Sequence, residues 1–237
     1  MKKINLIISL LSIFNFYSQQ VEGKITYIAT ADNALYYNEK EGITPTNTLK
    51  ELYKKATNIK SVLKFNSKLS EYFIIDKIDV SRKKSFNLTY LMAGRDKKFY
   101  TYNSTMKYEN KTLNCDLLDE CILVQNQIPK WELVQKTKEI GGFLCYNAII
   151  TNPKTGKKKI EVWYAPSIPY QYGIMNFYGL PGVILEMNIR SILITAIKIE
   201  LNPLEKVEIN PPKTSKELTH KEFEELQKKS FPEFFKN

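Results

Sequence analysis

Apolar and polar residues alternate with a period of two through most of this chain, and this pattern limits the folds it can adopt. Such alternation predicts strands with one buried and one exposed face. The alternating stretches are residues 21–30, 61–68, 70–76, 85–92, 97–103, 120–126, 130–138, 143–165 (as a hairpin) and 186–201. They follow one another without the crossover helices that a parallel sheet requires. The sequence therefore predicts an α+β fold on a mainly antiparallel, curved sheet.

Two places show helical rather than strand spacing. Residues 48–59 carry apolar side chains three and four positions apart, which predicts one short helix. Near the end of the chain, Thr219 followed by Glu222 has the capping-box pattern, which predicts a helix from there to about Lys229. The prolines at 211 and 212 are expected to end the sheet before that helix. We expect two or three helices, including a C-terminal one.

The N-terminus has the layout of a cleavable signal peptide over residues 1–19. Lys2 and Lys3 precede an apolar run at positions 4–16, which is shorter than the roughly 20 residues of a membrane-spanning helix. No cysteine stands directly after this run, so a lipid anchor is not expected. The mature chain, residues 20–237, has the length of one β-rich domain. Later apolar runs are interrupted by charge or proline, so no membrane span is predicted.

The formal net charge of +10 admits an anionic partner in principle. However, the lysines are scattered along the chain and mixed with glutamates, whereas nucleic-acid binding requires basic residues clustered on one face. We therefore predict no nucleic-acid partner. The oligomeric state is left open.

The three cysteines have a meaning that depends on export. In an oxidising compartment, Cys115, Cys121 and Cys145 allow three different single disulfides, and their spacing alone does not choose among them. A zinc site is not predicted, because His220 is the only histidine and lies far along the chain from the cysteines. No cofactor is predicted.

Sequence motifs of catalysis are absent. The chain has no Gly-x-Ser-x-Gly, no His-Glu-x-x-His and no glycine-rich phosphate loop. His220 stands among polar residues and is expected at the surface. Carboxylates from distant positions can still converge in three dimensions, so a hydrolase with a dispersed site remains an alternative.

The most unusual stretch is residues 162–187, in which aromatic pairs and prolines precede Gly179-Leu180-Pro181-Gly182. Proline fixes its own φ, and glycine permits positive φ or close backbone approach. We expect a tight turn here that leads directly into a hydrophobic strand beginning at Val183.

The run Gly179-Leu180-Pro181-Gly182-Val183-Ile184 resembles the signature of the GLPGLI family of exported bacterial proteins, with Val183 in place of leucine. The resemblance continues at Trp131, 140–145, Ala148, Trp163, Tyr164, Ile168, Pro169, Gly173, Leu185, Glu186 and Phe223. Ile174 and Asn147 depart from the family pattern, which often has proline and lysine there. The family has no established activity, cofactor or substrate.

This resemblance implies secretion into the periplasm or beyond in double-membraned bacteria. It also bears on the disulfide, because the family pattern has a cysteine matching Cys145 but not regularly the other two. It thus implies a Cys115–Cys121 bond with Cys145 free and buried. A looser similarity in strand order, to lipoprotein-carrier proteins, implies a half-barrel-like sheet.

Aromatic residues crowd the same stretch and give the leading functional hypothesis. On a curved sheet they would line a concave face that binds an apolar ligand or a protein partner without catalysis. The candidate ligand-binding residues are Trp163, Tyr164, Tyr170, Tyr172 and Tyr178, with Phe177 beside them. The alternative for these rings is that they fill the core. The other functional hypotheses are the dispersed hydrolase and a structural accessory that docks on an outer-membrane receptor through a sheet edge.

Overall fold

The computed structural model describes residues 21–31, 46–76, 87–115, 121–153, 156, 158–189, 192–212 and 216–235. The predicted signal peptide, residues 1–19, lies outside this part of the chain.

Twelve strands and three α-helices make up the described ranges. The strands are β1 (Gly23–Ala31), β2 (Ile59–Phe65), β3 (Leu69–Ile74), β4 (Lys98–Ser104), β5 (Lys107–Asn114), β6 (Ile122–Gln125), β7 (Glu132–Ile140), β8 (Phe143–Thr151), β9 (Lys158–Ala165), β10 (Val183–Ile189), β11 (Ile192–Leu201) and β12 (Lys216–Leu218). The helices are α1 (Asn47–Lys54), α2 (Leu88–Met92) and α3 (His220–Ser230), and a short 3-10 helix follows at Pro232–Phe235.

All twelve strands form one sheet in the order β12-β6-β5-β4-β3-β2-β1-β11-β10-β9-β8-β7. Neighbours pair antiparallel except β12, which runs parallel to β6. The sheet is open and curved, and α3 lies near the C-terminus, so the predicted fold class is confirmed.

The curvature follows from one connection. β6 and β7 stand ten steps apart in the strand order, which would be about 48 Å across a flat sheet at about 4.8 Å per strand. Residues 126–131 join them, and the seven chain steps from Gln125 to Glu132 span at most about 25 Å. The sheet must therefore bend until its two ends approach each other.

The inner side of this bend carries the core, because alternate residues of the central strands point inward. Ile25, Tyr27, Leu63 and Phe65 are all completely buried there. The Tyr27 hydroxyl donates to the carbonyl oxygen of Ile184 at 2.7 Å, which satisfies a polar group that burial would otherwise leave unpaired.

Two segments differ from their predicted structure. Residues 85–92 read as a strand, but Leu88–Met92 is a helix, because the Asn87 side chain accepts a hydrogen bond from the Thr89 amide and caps it. The helix expected over 48–59 ends at Lys54, because Ile59 already pairs with Ala29 in the sheet.

Two further differences concern the last third of the chain. The single run predicted over 186–201 is divided between β10 and β11, which pair with each other as antiparallel neighbours. The prolines at 211 and 212 do not end the sheet, since β12 follows them and adds three residues beside β6.

A disulfide joins Cys115 to Cys121, and Cys145 is a free, buried thiol. The pairing implied by the family resemblance is therefore confirmed. The bond closes a loop of six-residue separation immediately before β6.

Candidate functional site

The concave side of the sheet is occupied by the chain itself. Residues 166–182, here called the inner segment, connect β9 to β10 and reach across to the strands beyond β1. The Tyr172 hydroxyl donates to the Asn66 carbonyl at 3.0 Å, and the Asn110 side chain donates to the Met175 carbonyl at 3.2 Å. Asn66 follows β2 and Asn110 lies in β5, so the inner segment crosses the concave side from β9 to these strands. Its buried side chains fill much of the interior of the bend.

The glycine-proline motif forms the end of the inner segment, and Val183 is the first residue of β10. Gly179 has a φ of +92°, which favours glycine. Gly182 lies against the end of β9, where an added Cβ would stand 2.5 Å from the Ala165 carbonyl carbon. Leu180 between them is buried and Pro181 is exposed.

The predicted ring residues do not come together as one accessible surface. Tyr164, Tyr172 and Tyr178 are buried and belong to the core cluster, while Tyr170 is partly buried against it. The rings of Tyr170 and Tyr172 stack with centroids 5.3 Å apart. Their ligand-binding role stays a prediction. Their observed packing shows that these rings form part of the core.

Trp163 lies apart from the other predicted rings. It is adjacent to Tyr164 in β9, so the two side chains point to opposite faces of the sheet. The Lys138 ammonium lies 4.5 Å from the centroid of the Trp163 ring and pairs with Glu186. Trp163 is therefore part of an ionic and aromatic cluster with Lys138 and Glu186, and its ring is also partly buried against the core.

Residues 126–131, here called the strap, run from β6 to β7 past the motif. The Trp131 indole N–H donates to the Tyr178 carbonyl oxygen at 2.8 Å, and its ring lies beside Phe177. Ile128 approaches Gly179, where an added Cβ would stand 3.4 Å from the Ile128 methyl carbon Cγ2. The strap thus covers the end of the inner segment.

A groove with a volume of about 740 Å³ opens beside the strap. Four regions of the chain form its walls, namely the start of β5, the strap, the inner segment and the start of α3. The lining residues are Met106, Lys107, Tyr108, Glu109, Gln125, Asn126, Gln127, Ile128, Gln171, Tyr178, Gly179, Thr219, His220 and Lys221. Of the predicted site residues, Tyr178 and Gly179 reach this groove.

The groove combines apolar and polar surface. Met106 and Ile128 expose 70% and 64% of their surface, and the amides of Gln125, Gln127 and Gln171 can both donate and accept hydrogen bonds. Most lining side chains are exposed, so the groove is an open surface feature.

Charged groups in the groove are largely paired with each other or exposed. Lys107 lies 3.0 Å from Glu109. His220 is exposed, as predicted from its polar neighbours, and its Nε2 lies 3.3 Å from Glu224. Burial raises the pKa of Tyr178, with the backbone of Asn110 lowering it in part, so its hydroxyl is neutral at neutral pH.

A buried amide network supports the floor of the groove. The Asn126 side chain donates to Asn110 at 2.6 Å and to Thr112 at 2.7 Å, and Asn110 donates to Thr101 at 2.8 Å. Asn110 also holds the inner segment through Met175, as described above. One network therefore fixes β4, β5, the inner segment and the first residue of the strap.

Sequence reasoning missed most of the groove. Met106 lies in a turn, and residues 125–128 lie where a strand gives way to irregular chain, so neither carries a periodic signal. The proline at 129 and the tryptophan at 131 mark the strap, but only the fold brings that segment beside Gly179.

Neither a metal centre nor a membrane-spanning helix is found in the described part of the chain. Within those ranges, no three His, Cys, Asp or Glu side chains gather as metal ligands would. Among the same residues, no helix combines the length and apolar character needed to cross a bilayer.

Comparison with known proteins gives a family match over the motif region. Residues 152–186 match the model of a family described as "Protein of unknown function (Porph_ging)". The matched range runs from the end of β8 through the inner segment into β10. Like the family that the sequence resembles, this family has no known function. No curated protein matches the chain.

Among solved structures, the chain is similar to PNGF-II in the P21 space group, with 15% identity over 89% of this chain and a TM-score of 0.51. For PNGF-II in the C2 space group, the identity is 16% over 89% of this chain, with a TM-score of 0.49. The chain spans 34% and 33% of the length of those two chains. At this identity the first likeness shows a shared fold alone, and the fold forms about a third of that longer protein.

Proposed function

We propose that this protein is an exported, non-enzymatic envelope protein of the GLPGLI type, and that its groove binds an extended segment of a protein partner. The observation that carries the proposal is the open groove of about 740 Å³, which is lined by Gly179 of the motif and by Tyr178, one of the predicted ligand-binding residues. Aromatic side chains fill the centre of the concave face and make it inaccessible. The groove is the accessible surface beside them.

The chemistry of the groove suits a peptide segment. A peptide backbone presents donors and acceptors along its length, and glutamine side chains such as Gln127 and Gln171 can match both. Met106 and Ile128 provide exposed apolar contacts for a side chain of the segment. A groove that is open along one side accepts a continuous chain, whereas small apolar ligands are usually held in enclosed pockets.

Site-specific photocrosslinking in exporting cells tests this proposal. A photoreactive residue placed at Gln127 should crosslink to one envelope protein, and mass spectrometry of the product should map the bond to a short segment of that partner. The same residue placed at Leu204, which is fully exposed and outside the groove, is the matched control.

Ile128→Asp should remove the crosslink at Gln127 by placing a charge where an apolar contact is expected. Equal yields and identical products from positions 127 and 204 would contradict a specific site. The proposal would also be contradicted if the Ile128→Asp protein melted normally and still gave the crosslink from position 127.

Export is the second part of the proposal. The disulfide between Cys115 and Cys121 supports it, because such bonds persist in oxidising compartments such as the periplasm. N-terminal sequencing of protein from the periplasmic or secreted fraction should find a mature chain that begins at Gln19, Gln20 or Val21. An intact Met1 in that fraction would contradict it.

A second candidate function is docking through a sheet edge, which β7 favours. This nine-residue strand stands at the end of the sheet, and Leu133 within it is largely exposed. However, β7 has an irregular register between Val134 and Thr137 and exposes Lys136, and both features discourage edge pairing. We rank this candidate below the groove for that reason.

A further inference from the structure

The two ends of the strap are held to very different extents. At the first end, the Asn126 amide donates to the Asn110 carbonyl at 2.8 Å, and its side chain makes the two bonds to the buried network. At the other end, the Trp131 indole makes one hydrogen bond, to the Tyr178 carbonyl. The Trp131 end therefore has fewer hydrogen bonds, and its attachment depends on the packing of the indole ring against the core.

Residues 127–130, the middle of the strap, make no hydrogen bond to any residue that the structure describes, and Gln127, Ile128 and Lys130 are exposed. Segments with few bonds and much exposed backbone open locally at low free-energy cost. The position of this segment thus depends on its two ends.

The surface beneath the strap is apolar and includes the motif. Tyr178 is 1% exposed and Leu180 is 2% exposed, while Phe177 lies against the Trp131 ring. If the indole left Phe177 and the Tyr178 carbonyl, the groove would widen toward these residues. The amide of Gly179, which donates to the Gln171 carbonyl at 3.0 Å, would also lose support.

We propose that the strap is a movable wall of the groove that opens at its Trp131 end, and that Trp131 is a positioning residue that latches it to Tyr178. The latch itself does not depend on the identity of any ligand. Its consequence for binding rests on the proposed function, because a closed strap sets the distance between Ile128 and the opposite wall formed by the start of β5.

Trp131→Phe tests the latch while retaining an aromatic ring against Phe177. The measurement is amide hydrogen exchange at Gly179 relative to Ile184, whose amide donates to the Tyr172 carbonyl deeper in the inner segment. Loss of the indole bond should raise the ratio of the two exchange rates about fivefold, which corresponds to about 1 kcal/mol. Trp163→Phe, which replaces the other tryptophan of the chain, should leave the ratio unchanged.

The Trp163→Phe protein gives a second readout, because Trp131 is then the only indole. Its fluorescence should be quenched by acrylamide less efficiently than in the urea-unfolded chain, because the Trp131 ring is partly buried when the strap is closed. An unchanged Gly179-to-Ile184 ratio in Trp131→Phe would overturn the latch, as would complete protection of Trp131 from acrylamide. Neither measurement uses a ligand, so failure here is distinct from failure of the crosslinking.

Discussion

Replacing Gly182 with alanine should damage the fold more than the same change at Gly142, which also lies in a turn. The added Cβ would stand 2.5 Å from the Ala165 carbonyl carbon and 2.7 Å from the Pro166 nitrogen, and closer still to the Ala165 oxygen. Carbon atoms in contact normally lie about 3.5 to 4.0 Å apart, so the backbone at the end of β9 must move by about 1 Å. The neighbouring pair Val183–Ala165 belongs to the β9–β10 ladder and would be disturbed.

We expect this collision to cost about 3 kcal/mol, at the upper end of the range for overpacked sites. For a chain of this length, each kcal/mol lowers the melting temperature by about 2 to 4 °C, so Gly182→Ala should melt about 6 to 12 °C below the wild type. The yield of exported protein should fall with it.

Gly142→Ala is the matched control. Gly142 has a φ of +84° in the β7–β8 turn, and nothing lies within 4 Å of an added Cβ. Only the backbone strain of a positive φ applies there, about 1 kcal/mol, so a drop of about 2 to 4 °C is expected in melting scans. If Gly182→Ala melted at the same temperature as Gly142→Ala, close packing of the motif against β9 could not be its structural role.

Three further predictions concern the cysteines and the last helix. Burial raises the pKa of Cys145 to about 11, with Lys138 lowering it in part, so iodoacetamide at pH 8 should label the native thiol far more slowly than the urea-unfolded one. Because the unfolded thiol ionises at a lower pH than the native thiol, the free energy of unfolding should fall as pH rises toward 11. Rapid labelling of the native thiol at pH 8 would contradict the burial of Cys145. Reducing the Cys115–Cys121 bond should cost about 2 kcal/mol in urea unfolding, a small effect because the closed loop is short, and a loss above about 4 kcal/mol would refute that reasoning. Thr219→Ala should remove the cap of α3 and cost about 1 kcal/mol, seen as faster amide exchange at Phe223, and unchanged exchange would argue against the cap.

The sheet could be predicted from sequence wherever its inward residues are apolar. β5 escaped prediction because its buried positions are Tyr108, Asn110, Thr112 and Asn114, so the inward face is mostly polar and the alternation is hidden. Asn110 and Thr112 can be buried because they hydrogen-bond to Thr101 across the sheet and to Asn126 of the strap. Such pairing depends on tertiary structure that no local pattern encodes.

The same limit applies to the groove. Gly179 and Tyr178 drew attention through their composition, and the sequence predicted the turn into β10. Their neighbour Ile128 lies about fifty positions earlier and meets them only because the strap crosses between the two ends of a bent sheet. α2 was missed for a local reason, since five residues are too few for helical and alternating periods to be distinguished.

Hydrogen exchange of the intact protein with and without its partner segment tests the central claim most directly. The segment mapped by crosslinking would be added as a synthetic peptide at saturating concentration. Binding in the groove predicts slower exchange in the β4–β5 turn and at residues 178, 179 and 220–221, with β7 unchanged. Protection confined to β7, residues 132–140, would contradict the groove and transfer the binding function to the sheet edge.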